Sequence, residues 1–362
     1  MKIDIIAGAR PNFMKIAPII EAIQNHQTKG TAISFQLIHT GQHYDKNMSG
    51  DFFTELDIPK PDFNLEVGSG TQAEQTANIM VRYEKLLLDN PSDICLVVGD
   101  VTSTMACSIV AKKQGLTVVH VEAGIRSFDL TMPEEINRMV TDAITDYFFT
   151  TSEHANENLK KAGVKDNRIF YVGNTMIDTL LKQMPNFIKP ILFDKQNLKA
   201  KEYFVMTMHR PANVDQAGKL KEFLNTIEKN VNDLPVLFPV HPRTANVLKD
   251  LGVVFNRIHP IAPMSYLEFN YLVKHAKCVI TDSGGITEEA TVMGVPCMTL
   301  RDNTERPETV SQGTNELIGT NPQKLIPAFK RLFDGNWKKG TVPHLWDGKT
   351  ASRIVNHLLA FS

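Results

Sequence analysis

Cysteine is scarce in this chain. Cys95, Cys107, Cys278 and Cys297 are the four among 362 residues, all in apolar segments and none in CxxC spacing. A disulfide framework and a zinc ribbon are thereby excluded, and the four read as buried free thiols of a reducing compartment. An excess of either charge is also missing, since 39 basic and 40 acidic residues leave a net charge of −1. Nucleic acid and anionic membrane surfaces have no electrostatic footprint here. No apolar run is long enough to span a bilayer. The opening Met1-Lys2-Ile3-Asp4-Ile5-Ile6 is a strand pattern broken by Asp4, too short for a signal peptide. Low-complexity tracts and visible repeats are absent as well. The expectation is a cytoplasmic globular protein.

What is present is alternation. At roughly 150 residues per domain the length suggests two domains. Ile3–Ala9, Phe35–Thr40, Ile94–Gly99, Val118–Val121, Tyr147–Thr150 and Ile169–Val172 are strand candidates in the first half. Helical patterns lie between most of them, such as Phe13, Ile16, Ile19, Ile20 and Ile23. Phe204–Met208, Val236–Val240, Val279–Thr281 and Cys297–Leu300 resume the strands in the second half. The pattern implies an α/β fold of two Rossmann-like, doubly wound domains facing across a cleft. Pro185, Pro190 and the polar Phe193–Glu202 mark the junction. Domains of 1–174 and 175–350 follow, with a last helix in 351–362 crossing back to the first.

Ligands of such sheets gather outside the carboxyl ends of the strands. In Val279–Ala290 an apolar strand, the pair Gly284-Gly285 and a helical pattern follow one another. The unpaired N–H groups and dipole of that turn favour a phosphate, and Ser283 adds a hydroxyl. Glu288 and Glu289 are expected in the first turn, where a bound anion makes them unwelcome. A carboxylate reaching past the phosphate to sugar hydroxyls resolves this, as for ribose in dinucleotide folds. A nucleoside diphosphate is the implied ligand, although an ordinary αβ turn with acids serving the dipole explains the motif equally well.

The first half carries further signals. Arg10 and Lys15 place cations at a helix start, against the dipole, which a nearby anion explains better than stability does. Two strands end in carboxylates, at Asp100 and at Glu122, and Pro133-Glu134-Glu135 opens a helix soon after. Singly, Asp100 is explained as an N-cap and Glu134 with Arg138 as an i,i+4 pair. Three acids on one crevice favour acid–base catalysis. In the second half, His209, Arg210, His241 and Arg306 supply charge-assisted donors for phosphates, and Phe269 has the chemistry to pack on a flat base, although most such aromatics are simply core. Gly68-Ser69-Gly70-Thr71-Gln72-Ala73 matches the dinucleotide fingerprint only formally, and reads as a loop into a helix over Gln75–Leu88.

With these residues in view, the chain closely resembles the non-hydrolysing UDP-N-acetylglucosamine 2-epimerases, of glycosyltransferase-B-like architecture. The blocks that carry the likeness are Gly8–Pro18, Gly99–Thr104, His120–Arg126, Pro133–Arg138, Gly173–Asp178, His209–Arg210, Thr281–Ala290 and Arg301–Glu308. The resemblance implies interconversion of UDP-GlcNAc and UDP-ManNAc without NAD or metal, by anti elimination of UDP to an acetamidoglucal and re-addition. It makes Asp100, Glu122 and Glu134 the acid–base group. It sets Arg10, Lys15 and the catalytic His209 at the diphosphate and sugar, with Arg138 among the substrate-binding residues. Ser283, Gly284, Gly285, Glu289 and Arg306 form the UDP cradle, with Phe269 near uracil and His241 beside the phosphates. A homodimer supplying ManNAc-type units to surface polysaccharide is also implied.

The likeness has departures. Gln42-His43-Tyr44-Asp45 stands where many bacterial members have His-Arg, and Gly68–Gln72 lacks the arginine that such members use for an activating second substrate. Arg126–Met132 and His241-Pro242-Arg243-Thr244 resemble relatives acting on UDP-2,3-diacetamido-glucuronate, while Arg306-Pro307-Glu308 resembles the GlcNAc enzymes. Two other classes compete. A glycosyltransferase of the same architecture needs fewer acids, and the metal-dependent single-Rossmann transferases carry a DxD motif that this chain lacks. A nucleotide-sugar sensor would have no use for all three acids.

Overall fold

Continuous apolar runs make the central strands. Ile94–Val98 is buried at every position, as a parallel strand covered by helices on both faces must be. The computed structural model describes residues 1–41, 53, 55–214, 217–240, 248 and 255–361. Two compact units result, Met1–Lys182 with His344–Ser362, and Gln183–Pro343.

In the first unit seven parallel strands stand in the order β3-β2-β1-β4-β5-β6-β7. They are β1 Lys2–Ala7, β2 Ser34–His39, β3 Phe63–Asn64, β4 Ile94–Val98, β5 Thr117–Val121, β6 Tyr147–Thr150 and β7 Ile169–Tyr171. The winding reverses between β1 and β4, so a ligand crevice is expected outside the carboxyl ends of that pair. Asp4, which breaks the apolar pattern of β1, is fully buried and accepts from Gln36 Nε2 at 2.6 Å and Tyr83 OH at 2.8 Å. Burial raises its carboxyl above the ordinary value, against the pull of hydrogen bonds from Ser92, Tyr83 and Gln36.

The second unit holds six parallel strands in the order β10-β9-β8-β11-β12-β13. They are β8 Phe204–Thr207, β9 Val236–Pro239, β10 Ile258–Ile261, β11 Cys278–Thr281, β12 Cys297–Thr299 and β13 Asn315–Leu317. One face packs on Phe204, Phe223, Phe238 and Phe329, the other on Tyr203, Leu237, Leu272 and Val279. Here the winding reverses between β8 and β11. The α/β class with two doubly wound sheets is thus observed.

Three short strands, β3, β10 and β13, add to those expected, and each lies at a sheet edge. The junction also differs from the expected 174/175 boundary. Helix Thr175–Gln183 buries Met176, Ile177 and Leu180, and Thr179 Oγ1 donates to the Met14 carbonyl at 2.6 Å. That anchoring keeps the chain in the first unit as far as Lys182. On the return, Trp346 Nε1 donates to the Thr151 carbonyl at 3.0 Å. Asp178 accepts from the backbone N–H groups of Thr350 and Ala351 at 3.1 and 2.7 Å, so re-entry comes at His344 rather than at 351. Among the described residues, no helix is long and apolar enough to cross a membrane.

Candidate functional site

In the first unit the strand ends bring Lys15, Glu122 and Gly99 together. Helix Arg10–Gln27 follows β1, and its start is pinned by Asn12. Asn12 Oδ1 accepts from the N–H groups of Gly8 and Ala9, both at 3.0 Å, and its Nδ2 donates to the Val98 carbonyl at 3.1 Å. One turn on, the buried Lys15 forms an ion pair with the buried Glu122 at the end of β5. Glu122 sits at φ +68°, a left-handed backbone that a non-glycine residue adopts at a cost. Gly99 is required beside them, because at its φ of +66° a Cβ would lie 2.8 Å from Lys15 Nζ.

Asp100 comes next, and Arg138 grips it through Nε at 3.0 Å and Nη2 at 2.6 Å. Arg138 Nη1 also donates to Glu135 at 2.6 Å. The N-cap of helix Thr102–Lys113 is Val101, so Asp100 is not a cap. Glu134 is exposed in the first turn of helix Pro133–Ile144. Its neighbour Glu135 is fully buried and accepts from Ser127 N at 2.9 Å and Phe128 N at 3.0 Å. Behind this group lies a fully buried histidine, His120. Its Nδ1 is 2.7 Å from Asp142 and its Nε2 is 2.8 Å from the Gly99 carbonyl. Burial pushes the Asp142 carboxyl up, but the hydrogen bond and charge of His120, with those of Arg126, outweigh it and hold the group below its ordinary value.

The second unit presents a cationic and glycine-rich set at its own reversal point. Asp282, fully buried after β11, accepts from the N–H groups of His209 at 3.1 Å and Arg210 at 3.0 Å, and from Asn213 Nδ2 at 3.1 Å. It also lies 2.7 Å from Nδ1 of the exposed His209 imidazole. Burial raises the Asp282 carboxyl, and the His209 contact, the Arg210 N–H and Asn213 outweigh that and lower it overall. Helix Gly284–Val292 begins at the glycine pair, with Ser283 as an N-cap that makes no side-chain capping bond. Its first N–H groups face outward from the strand end, where an anion is favoured.

Glu288 and Glu289 prove to lie in the second turn of that helix, both buried, because the helix starts at Gly284. Their partners explain them. Glu288 forms an ion pair with Arg306, and Glu289 accepts from Tyr266 OH at 2.8 Å. Burial pushes the Glu289 carboxyl up to about 7, against the Tyr266 hydrogen bond and with help from the Glu288 charge. Phe269 is half-buried on the same helix as Tyr266, against the core around Leu272. His241, the block 241–244 and the segment 42–45 lie outside the described residues, as does the side chain of Arg10.

Comparison with known proteins settles the family. The sequence model described as UDP-N-acetylglucosamine 2-epimerase matches residues 25–359. The chain belongs to that family. It is 42% identical to the UDP-N-acetylglucosamine 2-epimerase of Methanocaldococcus jannaschii over 99% of both chains. A crystal structure of the M. jannaschii UDP-GlcNAc 2-epimerase in complex with UDP-GlcNAc and UDP superposes with a TM-score of 0.88, covering 100% of each chain. The UDP-2,3-diacetamido-2,3-dideoxy-D-glucuronate 2-epimerase of Pseudomonas aeruginosa is 37% identical over 99% of both chains.

For this member of the epimerase family, sequence reasoning passed over five residues that the geometry makes prominent. They are Asn12, Glu135, Asp142, Tyr266 and Asp282. Asn12 and Asp282 stood within motifs already singled out and carried a signal, being short polar residues at strand-to-helix turns. Asp142 and Tyr266 carried none, because each acts through a tertiary contact. The formal dinucleotide fingerprint turns out to be a capping box. Thr71 accepts from Glu74 N at 3.2 Å and Glu74 accepts from Thr71 N at 2.9 Å, starting helix Gln72–Asp89. Beyond it, Gln72, Met80, Met105, Ile136 and Asn137 help to line an open groove of about 520 Å³ that is largely apolar.

Proposed function

We propose that the chain is a non-hydrolysing 2-epimerase that interconverts UDP-GlcNAc and UDP-ManNAc. The observation that carries this reading is 42% identity, end to end, with an M. jannaschii protein of that name whose crystal structure holds UDP-GlcNAc and UDP. The chemistry suits the groups at hand. A carboxylate takes the proton from C2, the C–H pair forms a C1=C2 bond, and the C1–O bond breaks with its electrons leaving on UDP. Re-addition returns UDP to C1 while an acid delivers a proton to the opposite face of C2. Two proton-transfer positions are required, and Asp100, Glu122 and Glu134 are the proposed set. Lys15, ion-paired to Glu122, keeps positive charge beside the acid as substrate charge redistributes. Arg138 orients Asp100.

The leaving diphosphate needs donors that are in place before the bond breaks. His209, Arg10, His241 and the N–H groups at Ser283, Gly284 and Gly285 are proposed for it, with Arg306 held in place by Glu288. Glu289 accepts from the ribose hydroxyls and Phe269 lies at uracil. A homodimer working in the cytoplasm, ahead of surface-polysaccharide assembly, completes the proposal. The second reading, a 2-epimerase of UDP-2,3-diacetamido-glucuronate, is favoured by the Arg126–Met132 block and by the P. aeruginosa relative.

Proton NMR of each UDP-sugar in deuterated buffer separates the two readings. UDP-GlcNAc should lose its C2 proton signal as UDP-ManNAc appears. Exchange confined to the diacetamido sugar would select the second reading, and no exchange in either would end both.

A further inference from the structure

One buried carboxylate touches the backbone beside two of the acids. Asp142, in the third turn of helix Pro133–Ile144, is 5% exposed. One of its oxygens faces His120 Nδ1 at 2.7 Å, and the other face of the same ring meets the carbonyl of Gly99 at 2.8 Å. Gly99 directly precedes Asp100. The second oxygen of Asp142 accepts from the Gly124 N–H at 3.1 Å and from Arg126 Nη1 at 2.7 Å. Gly124 follows Glu122 by two residues. Arg126 Nη1 is itself fixed by the Ile125 carbonyl at 2.8 Å.

The two strand ends have reason to be braced. Glu122 holds a left-handed backbone, which persists only where its surroundings over-determine it. Gly124 is equally constrained, since at its φ of +77° a Cβ would come 2.4 Å from the Ala155 carbonyl. Both nitrogens of His120 face oxygen atoms, so the ring bridges the Asp142 carboxylate and the Gly99 carbonyl. These contacts fall on the backbone, at the Gly99 carbonyl and the Gly124 N–H.

We propose that Asp142 is the positioning residue for the acid pair, fixing the peptide before Asp100 through His120 and the Ala123–Gly124 peptide, one unit beyond that of Glu122, through the Gly124 N–H. The assignment rests on the epimerase reading for its kinetic consequence, though not for its structural one. Proton transfer is sensitive to displacement, and a shift of about 1 Å costs on the order of 100-fold in rate. Asp142→Asn keeps the shape but turns an NH₂ group toward one of the donors it now faces, so one of the two braces opens.

The test joins kinetics with a readout that needs no substrate. Asp142→Asn should lower kcat roughly 10- to 100-fold with KM nearly unchanged, and raise the primary isotope effect from substrate deuterated at C2. A merely structural role lowers the active fraction and leaves the isotope effect at the wild-type value, which would overturn the proposal. Should Asp142→Asn fail to fold, His120→Gln breaks only the Gly99 link and is expected to act in the same direction. Independently of any turnover, the Gly124 amide should lose its protection from exchange in Asp142→Asn, and unchanged protection would also refute the assignment. Wild-type protein that exchanges no C2 proton sinks the epimerase reading instead, while the amide measurement still judges Asp142.

Discussion

Replacing Glu289 by Gln should stabilise the protein, and only at neutral to alkaline pH. The carboxyl is buried, donates nothing when ionised and accepts from the Tyr266 hydroxyl at 2.8 Å. Burial lifts it from its ordinary 4.5 to about 7. A raised carboxyl favours the folded state most below the unfolded value near 4.5, and that advantage is lost as pH climbs through 7. At ~1.36 kcal/mol per pKa unit, ionising it in place costs about 3 kcal/mol by pH 8. The amide never ionises, yet its carbonyl still accepts from Tyr266. Urea unfolding of both proteins at pH 5 and pH 8 measures the difference. The variant's advantage should be roughly 2.5 kcal/mol larger at pH 8 than at pH 5, since pH-independent effects of the substitution cancel. An equal gap at the two pH values would show that burial does not govern this group. Binding moves the other way. Wild type should take up the UDP-sugar more tightly as pH rises through 7, and Glu289→Gln should bind weakly at both pH values by calorimetry.

Other substitutions test separate parts of the framework. Lys15→Met removes the cation paired with the buried Glu122, which should cost about 3 kcal/mol in thermal unfolding and abolish C2 exchange. Gly99→Ala drives a methyl to within 2.8 Å of Lys15 Nζ at a left-handed φ; a loss of about 1–3 kcal/mol and a fall in kcat are expected from denaturation and rate measurements. Asp178→Ala frees the N–H groups of Thr350 and Ala351. Amide exchange should quicken at the start of helix Thr350–Ala360, with about 1 kcal/mol of stability lost.

Most strands legible in the sequence are buried on both faces, and the half-buried edge strand Ile169–Tyr171 was legible from its apolar run. Ile94–Val98 and Val205–Met206 read as strands because nothing polar interrupts them. The missed strands sit at edges, where one neighbour suffices and composition is relaxed. Phe63–Asn64 lies close after Pro59 and Pro61, Ile258–Ile261 contains Pro260, and Asn315–Leu317 is mostly polar. At the site, residues at strand ends were readable because topology alone gives them a place. Lys15 against Glu122 was not, since the two are far apart in sequence and meet only when β1, β4 and β5 align. Glu288 and Glu289 were found, but their conflict with a bound anion dissolves only once Arg306 and Tyr266 stand opposite them.

The return of the chain at His344 has a consequence for how the protein is made. Everything from Gln183 to Pro343 is synthesised before the stretch that carries Trp346 and helix Thr350–Ala360 leaves the ribosome. Until then the carbonyl of Thr151 and the carboxylate of Asp178 wait without the groups they will hold. The second unit, continuous in sequence, is free to finish first, although it emerges later. Removing the codons for 344–362 would therefore injure the part of the protein that was translated earlier.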